Sequence, residues 1–163
     1  MRRLGKTGRM AVFFGTHVMK VDVKGRVSMP APFRDALQKA GSPDAVLMPT
    51  EGAQVVEGCD RGYVDALVGR AYSDEPMDEA ERQQILGMLG EMMTLSLDPE
   101  GRFVFTQPLR DHCGVTDTAV FVGRGRTFQI WNKEKHEAAR AQLKSQLGGE
   151  LSLTRLFFMG QKK

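Results

Sequence analysis

Two aspartate and arginine pairs are the first residues in this chain whose types and spacing could do chemistry. "DVKGRVSMPAPFRD" begins at Asp22 and "DPEGRFVFTQPLRD" at Asp98. Asp22, Gly25, Arg26, Pro32, Arg34 and Asp35 recur as Asp98, Gly101, Arg102, Pro108, Arg110 and Asp111, always 76 positions later. Six identities at one offset point to an internal duplication. Each arginine offers a planar fork of donors that fits a carboxylate, a phosphate or a guanine edge. Each aspartate can accept the amides of a tight turn or pair with its arginine across that turn.

A pair of catalytic carboxylates is the other chemistry two aspartates suggest, and it needs a pocket together with a nucleophile or a metal. The sequence supplies neither. His17, His112 and His136 show no H-x-x-x-H or H-x-E spacing, and "GRGR" at 123–126 follows a strand but runs into another strand, so it is no phosphate loop. Cys59 and Cys113 stand one per repeat, without zinc or disulfide spacing, and read as two reduced thiols. No catalytic residue, metal site or cofactor is expected.

The elements that must hold the two pairs follow from periodicity. "THVMKVD" alternates Val18, Lys20 and Asp22 with His17, Met19 and Val21, the pattern of a half-buried strand, and "RVSMP" resumes after a turn at Lys24 and Gly25. Glycine suits the reversal because it reaches positive φ without a Cβ clash. Pro32 opens a short helix with Phe33, Ala36, Leu37 and Ala40 on one face, and Gly41 closes it. Strands "AVLMP" and "QVVEG" and a helix over 60–71 complete the first repeat. "LSLD", "RFVFT", "PLRDHCG", "AVFVG" and "TFQIW" repeat the order, and Asn132 is placed to cap a helix running to Leu147. Each repeat thus reads as hairpin, short helix, hairpin, helix. A connector helix between them carries Ile85, Leu89 and Met92 on one stripe, with acidic residues in its first turn.

A lone unit of two hairpins would leave strand edges unpaired around a marginal core. Two copies can complete each other's sheets, so the expected fold is α+β, mainly β: a pseudo-two-fold barrel with peripheral helices. The expected organisation is a basic extension over 1–10, a first repeat over 11–71, a helical connector over 72–94, a second repeat with its C-terminal helix over 95–150, and a tail over 151–163.

Composition is that of a globular protein, with 41% hydrophobic and 26% charged residues. No apolar run approaches the ~20 residues of a spanning helix, and the N-terminus lacks a signal-peptide core. A cytoplasmic protein without membrane contact is expected. Residues 1–71 and 98–163 each hold 11 basic against 7 acidic residues, whereas 72–97 hold one against six. The basic charge lies in the repeats, and the acidic connector offsets it.

The strings "FFGTHVMKVDVKGRVSMPAPFRDAL", "LDPEGRFVFTQPLRD" and "FQIW" resemble the MraZ family of bacterial proteins, whose signature is a doubled D-x-x-x-R, here Asp22 to Arg26 and Asp98 to Arg102. The resemblance covers most of residues 11–147. It implies an AbrB-like, double-split swapped-hairpin barrel, ring-shaped homo-oligomers, and sequence-specific binding to double-stranded DNA that regulates transcription of the division and cell-wall gene cluster. Repression of that cluster including its own gene, a place on the nucleoid, and a promoter whose repeated short boxes engage several subunits at high effective concentration are expected alongside it. The chain departs from the family in the basic stretch before Met10 and in the glycine-rich "EGCDRG" near Glu57, where the second repeat has Trp131.

On this reading Lys24, Arg26, Arg34 and Arg102 are candidate DNA contacts, while Asp22, Gly25, Asp98, Gly101 and Arg110 build the turns. Arg34 is placed either to meet a phosphate or to pair with Asp22. Glu100 stands where the first turn has Lys24, so the first turn is expected to read DNA and the second to be mainly structural. The competing reading is a ring-forming scaffold or interaction protein in cell division that binds no specific DNA.

Overall fold

The computed structural model describes residues 10–148 and 151–160. The expected basic extension therefore lies outside the described residues except for Met10, as do the last three positions of the tail. The elements run β1 (Thr16–Lys20), β2 (Arg26–Ser28), α1 (Ala31–Lys39), β3 (Ala45–Pro49), β4 (Val56–Asp60), α2 (Arg61–Ala71) and α3 (Glu79–Glu91). They continue with β5 (Met93–Leu95), β6 (Arg102–Val104), α4 (Gln107–Cys113), β7 (Thr118–Gly123), β8 (Phe128–Asn132), α5 (Lys133–Gln146) and α6 (Leu153–Gly160). The chain is thus α+β, built on antiparallel sheets. It divides into two compact units, the first ending at Lys133 and the second beginning at Glu134.

Local chemistry explains the helices. Pro32 sits in the first turn of α1, Phe33 and Leu37 are buried, and Gly41 at φ +83° lets the Ser42 amide return to Leu37 O. Asp60 caps α2 by accepting the Tyr63 amide, and Asp78 caps α3 by accepting that of Ala80. Glu79 and Glu81 occupy the first turn of α3. Ile85 is buried, and α3 packs on α2 and β3, so the apolar stripe of the connector covers its own unit. In the second unit, Leu143 and Leu147 are exposed, and the segment read as a tail contains α6.

Hydrogen bonding corrects one local expectation. β1 and β2 do not form a ribbon. They share a single bridge, Val21 with Val27, and then part: the Val21 amide donates to Asp117 O, β1 pairs with β7, and β2 pairs with β6. The six-stranded sheet has the order β1-β7-β8-β4-β3-β5, and β2-β6 form a separate two-stranded sheet. No closed barrel is found among the described strands, because β1 and β5 end the large sheet and β2 and β6 are only three residues long.

The sheet order is nevertheless symmetric under an exchange of the two expected repeats. Taking strands in their order within each repeat, β1 matches β5, β2 matches β6, β3 matches β7 and β4 matches β8. Under that exchange the order reads the same in both directions. β1 with β7, β3 with β5, β2 with β6 and β4 with β8 all pair one repeat with the other. The interior is shared in the same way. Phe13 and Phe33 from the first repeat meet Phe121 and Phe128 from the second through edge and tilted ring contacts, and Phe103 joins them through Phe121. Gly58 in "EGCDRG" has its own reason: a Cβ there would lie 2.2 Å from the Phe128 ring. β4 and α2 therefore form despite the glycines.

Candidate nucleic-acid interface

Asp22 organises the first turn. Its Oδ1 accepts the amides of Lys24 and Arg26, and its Oδ2 accepts Arg26 Nε, all at 2.9 Å. Its backbone carbonyl accepts the Gly25 amide, with Gly25 at φ +83°. The second turn repeats this atom for atom. Asp98 Oδ1 accepts the amides of Glu100 and Arg102 at 2.9 Å, Oδ2 accepts Arg102 Nε at 3.0 Å, and Gly101 takes φ +80°. Both aspartates are held below the usual carboxylate range, first by the amide of the arginine four residues on. Asp22 and Asp98 thus each accept two turn amides and the Nε of the following arginine.

Each turn is braced by the opposite repeat. Phe105 N–H donates to Gly25 O at 2.7 Å, and Met29 N–H donates to Gly101 O at 2.9 Å. Arg110 Nε donates to Phe105 O, and Arg34 Nε to Met29 O, at 2.8 and 3.2 Å. A Cβ on Gly25 would meet Phe105 O at 3.0 Å and Arg110 Nη2 at 3.1 Å, whereas one on Gly101 would meet Arg34 Cδ at 2.5 Å. Arg34, expected at a phosphate or beside Asp22, lies against the turn of the other repeat. Only cross-repeat pairing brings residues 34 and 101 together, so no local signal announced it.

The two signature arginines come together on one surface. In the β2-β6 register Arg26 faces Val104 and Ser28 faces Arg102, so these four side chains share one side while Val27 and Phe103 fill the core. Arg26, Arg102 and Val104 line one shallow depression of about 270 Å³ with Asp98 and Leu97. Val104 is exposed there, and sequence reasoning missed it because its neighbours depend on the register.

The turns differ in charge. The first carries Lys24 and Arg26 against Asp22, whereas the second carries Arg102 against Asp98 and Glu100. Arg102 Nη2 also pairs with Glu100 at 2.8 Å. Its pKa is raised, first by the hydrogen bond to Asp98 and also by Glu100 and Asp22. Arg102 is thus held by two carboxylates of its own turn. Arg26 is held through Nε by one, and Lys24 beside it is exposed.

Nucleophilic chemistry finds no support at the cysteines. Both are buried, and burial pushes the Cys59 thiol up to about 12, so it stays protonated at neutral pH. Among the described residues no group of histidine, cysteine and carboxylate side chains is arranged to hold a metal ion. Asp60, the buried carboxylate, is occupied as a cap: it accepts the amides of Tyr63 and Ala11, and it lies 3.8 Å from Arg126.

No family model matches the chain. Curated relatives do. A protein of Gluconobacter oxydans is 36% identical over 143 residues, covering 83% of this chain and 87% of its own length. Proteins of Xanthobacter autotrophicus and Rhodospirillum rubrum are each 38% identical, covering 80% and 82% of this chain and 83% and 87% of their own lengths. All three carry the name "Transcriptional regulator MraZ".

Proposed function

Because the chain belongs to the MraZ family, we propose that it is a transcriptional regulator that binds double-stranded DNA sequence-specifically. It represses the division and cell-wall gene cluster that includes its own gene, and it works on the nucleoid. The first turn carries this reading. It carries two cations against one carboxylate and is held by Asp22 from within and by the Phe105 amide of the other repeat. Arg26, steered through Nε, offers its terminal amino groups to a guanine edge, and Lys24 neutralises a phosphate. Arg102, held by Asp98 and Glu100, serves mainly the fold. The interleaved pairing of the repeats supports a double-split swapped-hairpin architecture.

One such turn reads few bases, so a lone subunit discriminates poorly among genomic sites. A ring-shaped homo-oligomer presents several turns, and repeated short boxes in the promoter engage them at high effective concentration. Among the described residues no helix is long and apolar enough to cross a membrane.

The test is a gel shift across a salt titration, with DNA from upstream of the protein's own gene and with unrelated DNA. Preference for the upstream fragment is expected, with log K falling by roughly 0.9 per neutralised phosphate for each unit of log salt. Arg26→Ala should lose on the order of 1–3 kcal/mol of specific binding with the fold intact, while Arg102→Ala should chiefly lower stability. Equal affinity for both DNAs would remove the regulator reading and favour a scaffold. Loss of binding in a well-folded Arg102→Ala protein, with Arg26→Ala unaffected, would reverse the assignment of the turns.

A further inference from the structure

The two turns share a backbone but not the residue that follows the aspartate. In both, the first residue's carbonyl accepts the amide of the fourth, at 2.9 Å, and that fourth residue is a glycine at positive φ. The second turn has Pro99 in the next position, the residue such a turn favours, because its ring presets φ. The first turn has Val23. A β-branched side chain gains nothing from this turn, and Val23 gains nothing from packing either, being 101% exposed. Turn propensity and burial thus leave Val23 unexplained. Its surroundings are not those of a casually exposed valine: it stands on a braced turn, directly before Lys24 and three residues before Arg26.

We propose that Val23 is a specificity-determining residue, which seats its isopropyl group against the C5-methyl of a thymine when the first turn enters the major groove. This rests on the DNA-binding reading given above. The thymine methyl is the apolar feature of the major-groove edge of a base pair, and a rigid exposed aliphatic group is its natural complement. Polar contacts from Lys24 and Arg26 then fix the depth and orientation at which the two meet. Pro99, beside Glu100, belongs to a turn that carries net negative charge and has no such task.

The experiment is a gel shift of the upstream DNA with its thymidines replaced one at a time by deoxyuridine, which lacks only the C5-methyl. The wild-type protein should lose about four-fold in affinity at one position of a bound box, the amount expected for one buried methyl-sized group. Val23→Ala should bind the unmodified DNA more weakly by a similar factor and no longer respond to replacement at that position. Val23→Pro, which installs the residue of the second turn, should unfold at the same temperature or higher and be equally insensitive. If the wild type prefers the upstream DNA but ignores every replacement, the role of Val23 is overturned and the DNA-binding reading stands. Variants that respond to deoxyuridine as the wild type does would also overturn it. No preference for upstream DNA in the wild type would overturn both.

Discussion

Substituting alanine for Gly25 separates two costs that the structure assigns to different places. The first is conformational. Gly25 at φ +83° and Gly125 at φ +88° both occupy the left-handed region, where a Cβ costs about 1–2 kcal/mol. At Gly125 a Cβ would meet no heavy atom within 4 Å, so Gly125→Ala should cost that amount alone. At Gly25 the Cβ would lie 3.0 Å from Phe105 O, a backbone atom that also accepts Arg110 Nε, and Gly25 O itself accepts the Phe105 amide. Relief of that contact displaces the Phe105 peptide and strains both bonds. Each contributes about 0.5–1.5 kcal/mol, so Gly25→Ala should cost about 1–3 kcal/mol more than Gly125→Ala. Gly101→Ala falls between, because the atom it meets is Arg34 Cδ on a flexible side chain. Urea unfolding of the three variants, with the wild-type slope retained, measures the series. If Gly25→Ala and Gly125→Ala agree within about 0.5 kcal/mol, the cross-repeat bracing of the first turn is not what holds it.

Two other perturbations follow from particular contacts. Asp22 and Asp98 have lowered pKa values, so their charged forms stabilise the fold fully above the ordinary carboxylate range, and the contribution is lost as pH falls through the folded values. A variant with Asp22→Asn and Asp98→Asn, unfolded in urea at pH 7 and pH 3, should show a smaller stability gap to the wild type at the lower pH; an unchanged gap refutes the assignment. Gly58→Ala would set a methyl 2.2 Å from the Phe128 ring and should cost roughly 1–3 kcal/mol by thermal unfolding, with Phe128→Leu partly restoring the double variant; no restoration would place the strain elsewhere.

The turns and most element types were legible in the sequence because they rest on neighbours within a few residues. "AVLMP" coincides with β3, and Gly25, Gly41 and Gly101 all take the positive φ their positions demanded. "QVVEG" anticipated β4 two residues early, since Val55 is buried but lies before the ladder begins. Asp22 and Asp98 accept amides only two to four residues on, a geometry their spacing from the glycine and arginine of each turn allows locally.

Strand partners were a different matter. Alternation shows that a segment is extended and which side faces inward, but it carries no record of which edge its amides will find. The first hairpin of each repeat was a local reading, and the fold replaced it by longer-range pairing that lets both repeats complete their sheets. The same exchange moved Arg34 against Gly101, Arg110 against Gly25, and Arg26 into the depression it shares with Arg102. What each repeat is made of and how its turns close is written in the chain, because those hydrogen bonds span four residues or fewer. Which arginine lies against which turn follows from the register of β2 on β6, 76 residues apart, where burial of Val27 and Phe103 on one side leaves Arg26 and Arg102 on the other.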